Sequence, residues 1–409
     1  MPRSAFSFPS FRKLVAARFL FSISVQMQAV VMGWMVFEIK RDPLYLGLIG
    51  LVEAVPAIGL ALYAGYLVDR SNPLRVYRNV QRVSFTSALL LFWVSWQGDA
   101  LSEATKLLCI YGAAFLTGLA RGFAAPSMYS LMPQLVPREA LAVSSAWLTS
   151  AFQVAAISGP AIGGLLFAWG GGRLAFGTEL VLLASSQTIL FMLHFKPKVN
   201  EPREGVSFRE DLLSGLKYVW RHELLLSALA LDMFAVLFGG ATALLPVFAS
   251  EILSVGPQGL GWLRAAPAVG ALVTGVMLIR RPVGRHAGRI LLACVAGYGL
   301  CIIGFGLSTS FWFSLVLLGL SGALDSVSMI VRGAIVTLSS PDHMRGRIAS
   351  VNSIFIGSSN ELGAFESGVA ARLLGTVPAV VFGGAMTLFV VAITGRRAPK
   401  LRALDLGKL

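Results

Sequence analysis

The chain has 409 residues, of which 56% are hydrophobic and only 13% are charged, and its net charge is +14. Soluble domains carry about 25% charged residues, so this composition excludes a protein whose whole surface faces water. The positive charge would favour nucleic acid in a soluble protein. Here the basic residues follow the distribution typical of membrane proteins, and we expect no nucleic-acid partner. The first apolar run, 14–39, is too long for a secretory signal and predicts a membrane span.

Twelve segments are apolar enough to cross a bilayer, which takes about 20 residues of helix. They predict an all-α membrane protein. Glycine and proline are frequent inside these segments, which membrane helices tolerate when neighbouring groups bond the freed backbone. In chain order the predicted spans are 14–39, 44–68, 79–97, 106–132, 140–169, 173–195, 223–250, 259–279, 289–309, 311–338, 347–372 and 376–395.

The stretch 196–222 divides these spans into six and six. It is rich in proline and charge at first and amphipathic from Ser207 on, and Ser207 with Glu210 has the spacing of a capping box. We predict a cytoplasmic linker followed by an amphipathic helix on the membrane surface. The predicted domains are an N-terminal six-helix bundle (1–195), this linker (196–222), a C-terminal six-helix bundle (223–395) and a basic cytoplasmic tail (396–409).

The basic residues in the connections predict the orientation. Cytoplasmic loops carry the excess of Lys and Arg in membrane proteins. With the N-terminus in the cytoplasm, most Lys and Arg residues fall in the inner connections and at the two ends of the chain. We therefore predict that both termini are cytoplasmic. The outer connections then contain only Lys40, Arg41, Lys106, Arg173 and Arg372.

An internal repeat relates the two halves. EAVPAIG (53–59) resembles RAAPAVG (264–270), and GLAR (118–121) aligns with GALD (322–325) in the same order. The matching segments also run in the same direction across the membrane, which is typical of parallel repeats related by an axis along the membrane normal. We predict two pseudo-symmetric bundles with a substrate cavity at their interface.

Charged residues occupy equivalent positions of the repeat with opposite sign: Glu53 matches Arg264, and Arg121 matches Asp325. A charge at the centre of a membrane helix costs about 2.5–3.5 kcal/mol on insertion scales, so it normally faces a wet cavity or a partner. The repeat predicts two ion pairs across the cavity. The alternative is that each charge pairs within its own bundle and fixes helix packing.

The connection after the second span resembles a motif of the major facilitator superfamily. GYLVDRSNPLRVYR (65–78) is similar to the family's G-x-x-x-D-R-x-G-R loop through Gly65, Asp69 and Arg70. The resemblance implies that Asp69 lies at the N-terminus of the eleventh helix and stabilises the outward-facing state. A carboxylate at a helix N-terminus is favoured electrostatically. The alternative is a basic inner loop with a solvated aspartate.

This loop departs from the family pattern at two places. Asn72 replaces the later glycine, and the basic position is moved to Arg75. Because asparagine tolerates left-handed backbone, we expect the turn to be kept.

Two further motifs carry the resemblance. SGPAIGGLL (158–166) is similar to the antiporter motif G-P-x-x-G-G, which marks exporters in this family, although an earlier glycine of the motif is Ala151 here. GLARGFAAP (118–126) resembles the buried-arginine motif of the fourth helix, which implies a role for Arg121 in proton transfer. The antiporter-motif positions are Gly159, Pro160, Gly163 and Gly164.

The resemblance covers essentially the whole chain and implies the major facilitator fold, twelve helices as two pseudo-symmetric six-helix bundles. SSNELGAFESG (358–368) is most similar to bacterial enterobactin-exporter-like and drug-efflux transporters. We therefore expect a monomeric secondary active exporter in the bacterial cytoplasmic membrane. It would move a small amphipathic molecule, siderophore- or drug-like, by alternating access in exchange for protons.

Two other classes of function remain open. One is an uncoupled facilitator of a lipid-like molecule or metabolite, and the other is a non-transporting receptor or scaffold. The sequence contains no nucleophile–base grouping, metal-ligand spacing or phosphate loop, so we expect no enzyme activity, no cofactor and no metal. The expected partners are a small-molecule substrate, protons and the lipid bilayer.

The candidate site residues fall into three groups. Proton-coupling candidates are the carboxylates Asp325, Glu53, Asp232, Glu361 and Glu366. Their candidate cationic partners are Arg121, Arg264 and Arg332. The mixed amide, thioether and aromatic side chains that suit an amphipathic substrate, with ordinary helix packing as the alternative for each, are Gln26, Met27, Gln28, Trp34, Met233 and Phe234.

Overall fold

A computed structural model describes residues 7–193, 208–280, 286–341 and 344–405. Within these ranges the chain forms helices joined by short turns, with no β-strand, so the predicted all-α class is confirmed. The first part of the predicted linker, including Ser207 of the expected capping box, lies outside the described residues.

The helices are long and follow one another closely. In chain order they are α1 (Pro9–Lys40), α2 (Pro43–Asp69), α3 (Pro73–Gln97), α4 (Glu103–Leu131), α5 (Leu141–Phe191), α6 (Phe208–Arg221), α7 (Glu223–Gly239), α8 (Leu245–Val247), α9 (Gly256–Arg280), α10 (Ala287–Leu307), α11 (Phe311–Leu338), α12 (Arg345–Leu374), α13 (Thr376–Arg397) and α14 (Pro399–Arg402).

The helix α5 is interrupted at Gly170 and Gly171, where Gly171 has a φ of 61° that residues with a side chain rarely adopt. It therefore has two arms, a first arm (141–169) and a second arm (172–191). Among the described residues nine helices are long and apolar enough to cross a membrane, and α5 counts once among them. The more polar α3 and α12 complete a set that fits the twelve predicted spans in order.

The predicted span 223–250 is not one continuous helix. The helix α7 ends at Gly239, and a 3-10 turn, the short α8 and a π-helical turn at Phe248–Ile252 follow. Gly240 leaves helical geometry, with φ −72° and ψ 51°. Pro246 then lacks the backbone N–H that a continuing helix would bond. These two residues account for the break.

The described part of the basic C-terminal segment, 396–405, packs against α10. Leu401 and Leu404 are buried in one apolar cluster with Ala287 and Leu291 of α10. Gly288 lets the carbonyl of Leu401 approach, because a Cβ at this position would overlap that oxygen. The prediction of a basic tail from 396 missed this packing because it weighed the charges and not the two leucines.

The predicted amphipathic helix is present as α6. Val219 on α6 is fully buried, in one cluster with Leu229 of α7 and with Ile348 and Val351 of α12. The hydroxyl of Tyr218 donates to the carbonyl of Ser339, 3.1 Å away. The apolar face of α6 therefore contacts neighbouring helices of this protein.

The chain folds into two compact units. The first unit comprises the described parts of Met1–Arg41, Val52–Arg203 and Val255–Ala265, and the second comprises those of Asp42–Leu51, Glu204–Ser254 and Ala266–Leu409. The start of α2 thus belongs to the second unit, and the start of α9 belongs to the first. The sequence-based boundaries at 195 and 223 do not include this exchange.

Glycines allow each exchanged segment to pack closely in its unit. In the second unit, a Cβ on Gly50 would come within 2.9 Å of the carbonyl oxygen of Glu361 on α12. In the first unit, a Cβ on Gly261 would come within 2.6 Å of the carbonyl oxygen of Pro160 on α5. Small residues permit such backbone contact between membrane helices.

The internal repeat is visible in the helix crossings of each unit. In the first unit Gly118 of α4 lies against the backbone of Glu53 on α2. In the second unit Gly322 of α11 lies against the backbone of Pro267 on α9. The sequence alignment pairs Gly118 with Gly322 and the two helices they touch, so the two units cross corresponding helices at corresponding glycines.

Candidate functional site

The second unit contains a buried charged site formed by α7 and α11. Asp232 on α7 is 7% exposed, and Arg332 on α11 is 5% exposed. The guanidinium of Arg332 forms an ion pair with the carboxylate of Asp232. Asp325 lies seven residues before Arg332, which places both side chains on the same face of α11. The two carboxylates and one guanidinium therefore converge in one region.

A small cavity joins the two carboxylates. Its volume is about 10 Å³, which is close to the smallest space that holds one water molecule. It therefore admits water and excludes a drug-sized molecule. Its walls come from α7, α10 and α11, and they are formed by Asp232, Ala235, Val236, Cys294, Val295, Tyr298, Leu324, Asp325 and Ser328.

The two aspartates differ in their partners. Asp232 is paired with Arg332, whereas Asp325 has no hydrogen bond or ion pair among the residues that the structure describes. Tyr298, beside them, donates its hydroxyl hydrogen to the carbonyl of Gly239, 2.9 Å away. Asp325 is thus the group in this site that can accept or release a proton without first breaking an ion pair.

The first unit contains a different ion pair. Arg121 Nη1 on α4 donates to Glu53 Oε2 on α2 over 2.9 Å. The Glu53 side chain is 10% exposed and the Arg121 side chain is 44% exposed. This pair lies within one unit, which is the alternative interpretation of these charges. Arg121 therefore pairs with Glu53 in this structure, and the ion pairs expected across the cavity stay predictions.

A neutral polar network lies in the core of the first unit. Gln28 Nε2 on α1 donates to Ser87 Oγ on α3 and to Thr117 Oγ1 on α4, each over 2.9 Å. Both hydroxyls donate in turn to the carbonyl of Ala113. All three side chains are buried. The amide of Gln28 therefore ties three helices together.

The other candidates on α1 also contribute to packing. Met27 is buried against Gly163, and Gln26 lies beside Gly159. Trp34 Nε1 donates to Glu38 Oε1 over 2.6 Å. Met27 and Gln28 thus lie inside the first unit, and the role of these side chains in lining a substrate cavity stays a prediction.

The glycines of the antiporter motif let the first arm of α5 approach its neighbours. A Cβ on Gly159 would come within 2.6 Å of the Cβ of Gln26, and one on Gly163 within 3.1 Å of the Cα of Met27. A Cβ on Gly164 would meet the carbonyl of Pro257 at 2.4 Å. Pro160 lies between them inside the helix. The motif thus forms a backbone-to-backbone contact surface.

The loop after α2 differs from the expected turn. Asn72 has a φ of −73° and caps α3, with its Oδ1 accepting from the backbone N–H of Arg75 over 3.1 Å. The chain turns here without left-handed backbone at Asn72, whose side chain serves instead as a helix cap in extended backbone. Gly65 has open space beside it, and Arg70 and Arg75 are exposed. The side chain of Asp69 lies outside the described residues.

The remaining candidates lie on three helices. Glu361 is buried on α12 and Glu366 is half-buried, five residues further along the same helix. Arg264 on α9 is half-buried. Met233 is half-buried and Phe234 is 39% exposed, directly after Asp232 on α7. The charged site thus unites Asp232, Asp325 and Arg332, and it does not include these other side chains.

Sequence reasoning missed three groups. Tyr298 and Ser328 line the cavity, but a tyrosine or serine in an apolar run gives no signal by itself. Glu179, on the second arm of α5, is 1% exposed and is a lone carboxylate inside an apolar segment. Intramembrane charge is the signal that identified Glu53, and it applies equally to Glu179.

Residues 14–364 of this chain match the Major Facilitator Superfamily. The chain belongs to this superfamily. It is therefore a multi-pass membrane transporter by family.

Relatives and solved structures agree with this family. The chain is 26% identical to the enterobactin exporter EntS of Escherichia coli strain SMS-3-5 and to that of Shigella dysenteriae serotype 1, with 97% of this chain and 96% of each relative covered.

Its fold is similar to a bacterial homologue of the iron transporter ferroportin in an inward-facing state (TM-score 0.72, 17% identity, 97% of this chain and 99% of that chain). It is also similar to a transporter of the POT family in complex with 5-aminolevulinic acid (TM-score 0.76, 12% identity, 96% of each chain).

Proposed function

We propose that this superfamily member is a secondary active exporter of a small amphipathic molecule, siderophore- or drug-like, working by alternating access in exchange for protons. The observation that carries the proposal is the buried site of Asp232, Asp325 and Arg332 around a one-water cavity. The proposed setting is the bacterial cytoplasmic membrane, with both termini cytoplasmic and the protein monomeric.

The charge balance of the second unit supports proton exchange. With a proton on Asp325, the site contains one carboxylate and one guanidinium and is neutral. Loss of that proton leaves a net negative charge inside a helix bundle, where an uncompensated charge is costly. The deprotonated site therefore favours a conformation that admits more water. A proton gradient of one pH unit supplies about 1.4 kcal/mol per proton to drive this change.

The proposed export direction and substrate class rest on two supports. The relatives that align over nearly the whole chain carry the name enterobactin exporter. The motif at Gly159, Pro160, Gly163 and Gly164 resembles the antiporter motif and makes the close helix contacts described above. In this proposal the Glu53–Arg121 ion pair, which is partly exposed, breaks and forms again during the transport cycle.

Transport in proteoliposomes tests the proposal, with enterobactin as the probe. Wild-type protein should accumulate enterobactin when a pH gradient is imposed. The Asp325→Asn variant should lose this accumulation and retain exchange down a concentration gradient, because its site is permanently neutral. The matched control is Asp99→Asn, the same change at an exposed aspartate in the turn that follows α3.

Each other result has a defined meaning. Wild-type transport that ignores the pH gradient would favour the uncoupled facilitator. Gradient-driven transport that survives in Asp325→Asn would remove Asp325 from coupling. Absence of any enterobactin flux, with flux of amphipathic dyes instead, would exclude the siderophore and keep the drug-like class.

A further inference from the structure

Glu179 is a buried carboxyl group that the site described above does not use. It lies on the second arm of α5 and is 1% exposed. It shares a buried face of that arm with Phe176, Leu183 and Ser186, which are three, four and seven residues away. Neither carboxyl oxygen has a hydrogen-bond partner in the part of the chain that the structure describes.

Hydrogen bonds fix the level of Glu179 inside the first unit. Ser186 Oγ donates to the carbonyl of Ala17 on α1 over 2.7 Å, and it accepts from Gln81 Nε2 on α3 over 2.8 Å. The second arm runs antiparallel to both helices, because its end contacts the earlier part of each. Lys13 Nζ on α1 donates to the carbonyl of Met192, and Arg78 Nη2 on α3 donates to the carbonyl of Leu190.

Two turns separate Ser186 from Glu179. Two turns along α1 from Ala17 lead to Ser24, and two turns along α3 from Gln81 lead to Ala88. Glu179 therefore lies level with a buried serine and a buried alanine, about 10 Å from the Ser186 contacts along the helix axis.

The charged groups on the helices packed around Glu179 are occupied elsewhere. Arg173 donates to the carbonyls of Ser95 and Trp96, about 9 Å along the axis from Glu179. Arg78 donates to the carbonyl of Leu190, about 16 Å away in the other direction. The first arm of α5 contains no charged residue.

The other titratable groups of α1 and α3 are exposed, as Arg12 and Arg75 are, or make other contacts. Arg18 lies over the ring of Phe152, Arg82 lies over the ring of Phe191, and Tyr77 stacks edge-on with Phe21. At the far end of α1, Glu38 accepts from Trp34 and Lys40 pairs with Glu103.

The described polar groups at this level have already donated their hydrogens to other acceptors. Ser24 Oγ donates to the carbonyl of Leu20 in its own helix, and the hydroxyls of Ser87 and Thr117 donate to Ala113. One turn from Ser24, Gln28 uses its amide hydrogens on Ser87 and Thr117, and its Oε1 has no partner among the described residues. Buried acceptors without donors are costly, and a protonated carboxyl group supplies one O–H donor.

We propose that Glu179 is a proton-binding site in the first unit, separate from the Asp232–Asp325 site of the second. It deepens the proposed function, on which its role in transport rests. The neutral acid is the form that fits a buried site with no cation beside it among the described residues, because an isolated buried carboxylate costs far more than a buried hydroxyl. Release of its proton then requires a conformation in which water reaches the interior of the first unit.

Infrared spectroscopy of the purified full-length protein tests proton binding without reference to transport. A buried neutral carboxylic acid has its own carbonyl stretching band, distinct from that of a carboxylate. The wild-type spectrum at neutral pH should contain such a band that disappears in Glu179→Gln and persists in Asp325→Asn. The matched control, Glu103→Gln at an exposed glutamate of the same unit, should leave it unchanged.

A second variant distinguishes loss of the carboxylic acid from loss of folding. Glu179→Asp keeps the acid and moves it by one methylene, so the band should shift instead of disappearing. A wild-type spectrum without the band, or a Glu179→Gln spectrum in which the band loses no intensity relative to wild type, would overturn the proposal. Loss of the band on adding sodium ions at constant pH would also overturn it, because the site would then bind a metal cation in place of the proton.

Transport separates this inference from the proposed function. In the proteoliposomes described above, Glu179→Gln should reduce gradient-driven accumulation of enterobactin at least tenfold and leave downhill exchange within twofold of wild type. If wild-type transport ignores the gradient while the infrared band still depends on Glu179, the exporter mechanism fails and the proton-binding site stands. If transport is gradient-driven and Glu179→Gln changes neither measurement, the inference about Glu179 fails alone.

Discussion

The two units share a scaffold and differ in the chemistry of their interiors. Each crosses corresponding helices at an aligned glycine, Gly118 in the first and Gly322 in the second. The first unit then fills its core with amide and hydroxyl groups around Gln28, whereas the second buries an ion pair between Asp232 and Arg332. The close contact between helix backbones is thus repeated in the two units, whereas the positions of the charged side chains are specific to each unit.

The ion pairs of the two units differ in how far water reaches them. The ion pair of the first unit joins α2 to α4 and is partly exposed on its arginine side. The ion pair of the second joins α7 to α11 and is buried on both sides. An exposed pair can separate into water at little cost, but a buried pair cannot. We therefore expect the second unit to be far more sensitive to the loss of one charge.

The largest expected effect is at Arg332. The Arg332→Met variant leaves Asp232 buried without its cation, which should lower the free energy of unfolding by about 3–5 kcal/mol. Equilibrium unfolding in detergent would measure it. The matched control, Lys400→Met, breaks the exposed pair with Glu223 and should cost less than about 1 kcal/mol.

A double variant sharpens this prediction. Replacing both Asp232 and Arg332 by leucine removes both charges, so most of the lost stability should return. If the single variant is as stable as wild type, or if the double variant is the weaker of the two, the buried pair does not stabilise the second unit.

The next effect is at the aligned glycines, where the two units should behave alike. Gly118→Ala and Gly322→Ala each place a methyl group against backbone atoms of the crossing helix, and overpacking of this kind costs about 1–3 kcal/mol. Thermal unfolding of both variants would test the symmetry.

Gly333, on the same helix as Gly322, provides the control. It has open space beside it, so Gly333→Ala should be neutral or stabilising by up to about 1 kcal/mol. A destabilised Gly333→Ala together with an unaffected Gly322→Ala would contradict the crossing geometry.

The smallest effect is expected at Glu53. Glu53→Gln keeps an acceptor for Arg121 and removes the charge of a pair that water reaches, so the loss should be less than about 1 kcal/mol. Unfolding at low and high salt would show whether the wild-type pair is screened. A loss of stability as large as that of Arg332→Met would contradict the prediction that the buried pair is the more sensitive of the two.

Much of this architecture follows from the sequence. The apolar segments give the helices in order, and the EAVPAIG and RAAPAVG segments give the repeat. Intramembrane charge identifies Asp232, Asp325 and Arg332. These features depend on composition and periodicity along one segment at a time.

Other features depend on how segments meet. The partner of Glu53 is set by the approach of α4 at Gly118, and no pattern within either helix specifies that register. The break at Gly240 and the burial of Leu401 likewise depend on neighbouring helices. Asn72 could satisfy either a left-handed turn or a helix cap, and only the backbone path decides between them.

The exchange of helix starts between the units bears on how the chain is made. The first turns of α2 leave the ribosome early, but their packing surface, around Ala364 and Gly368 of α12, is synthesised more than three hundred residues later. The start of α2 therefore has no packing partner on α12 until translation is almost complete. Two fragments divided near the linker and produced together should complement each other, because each provides a segment that the other half requires.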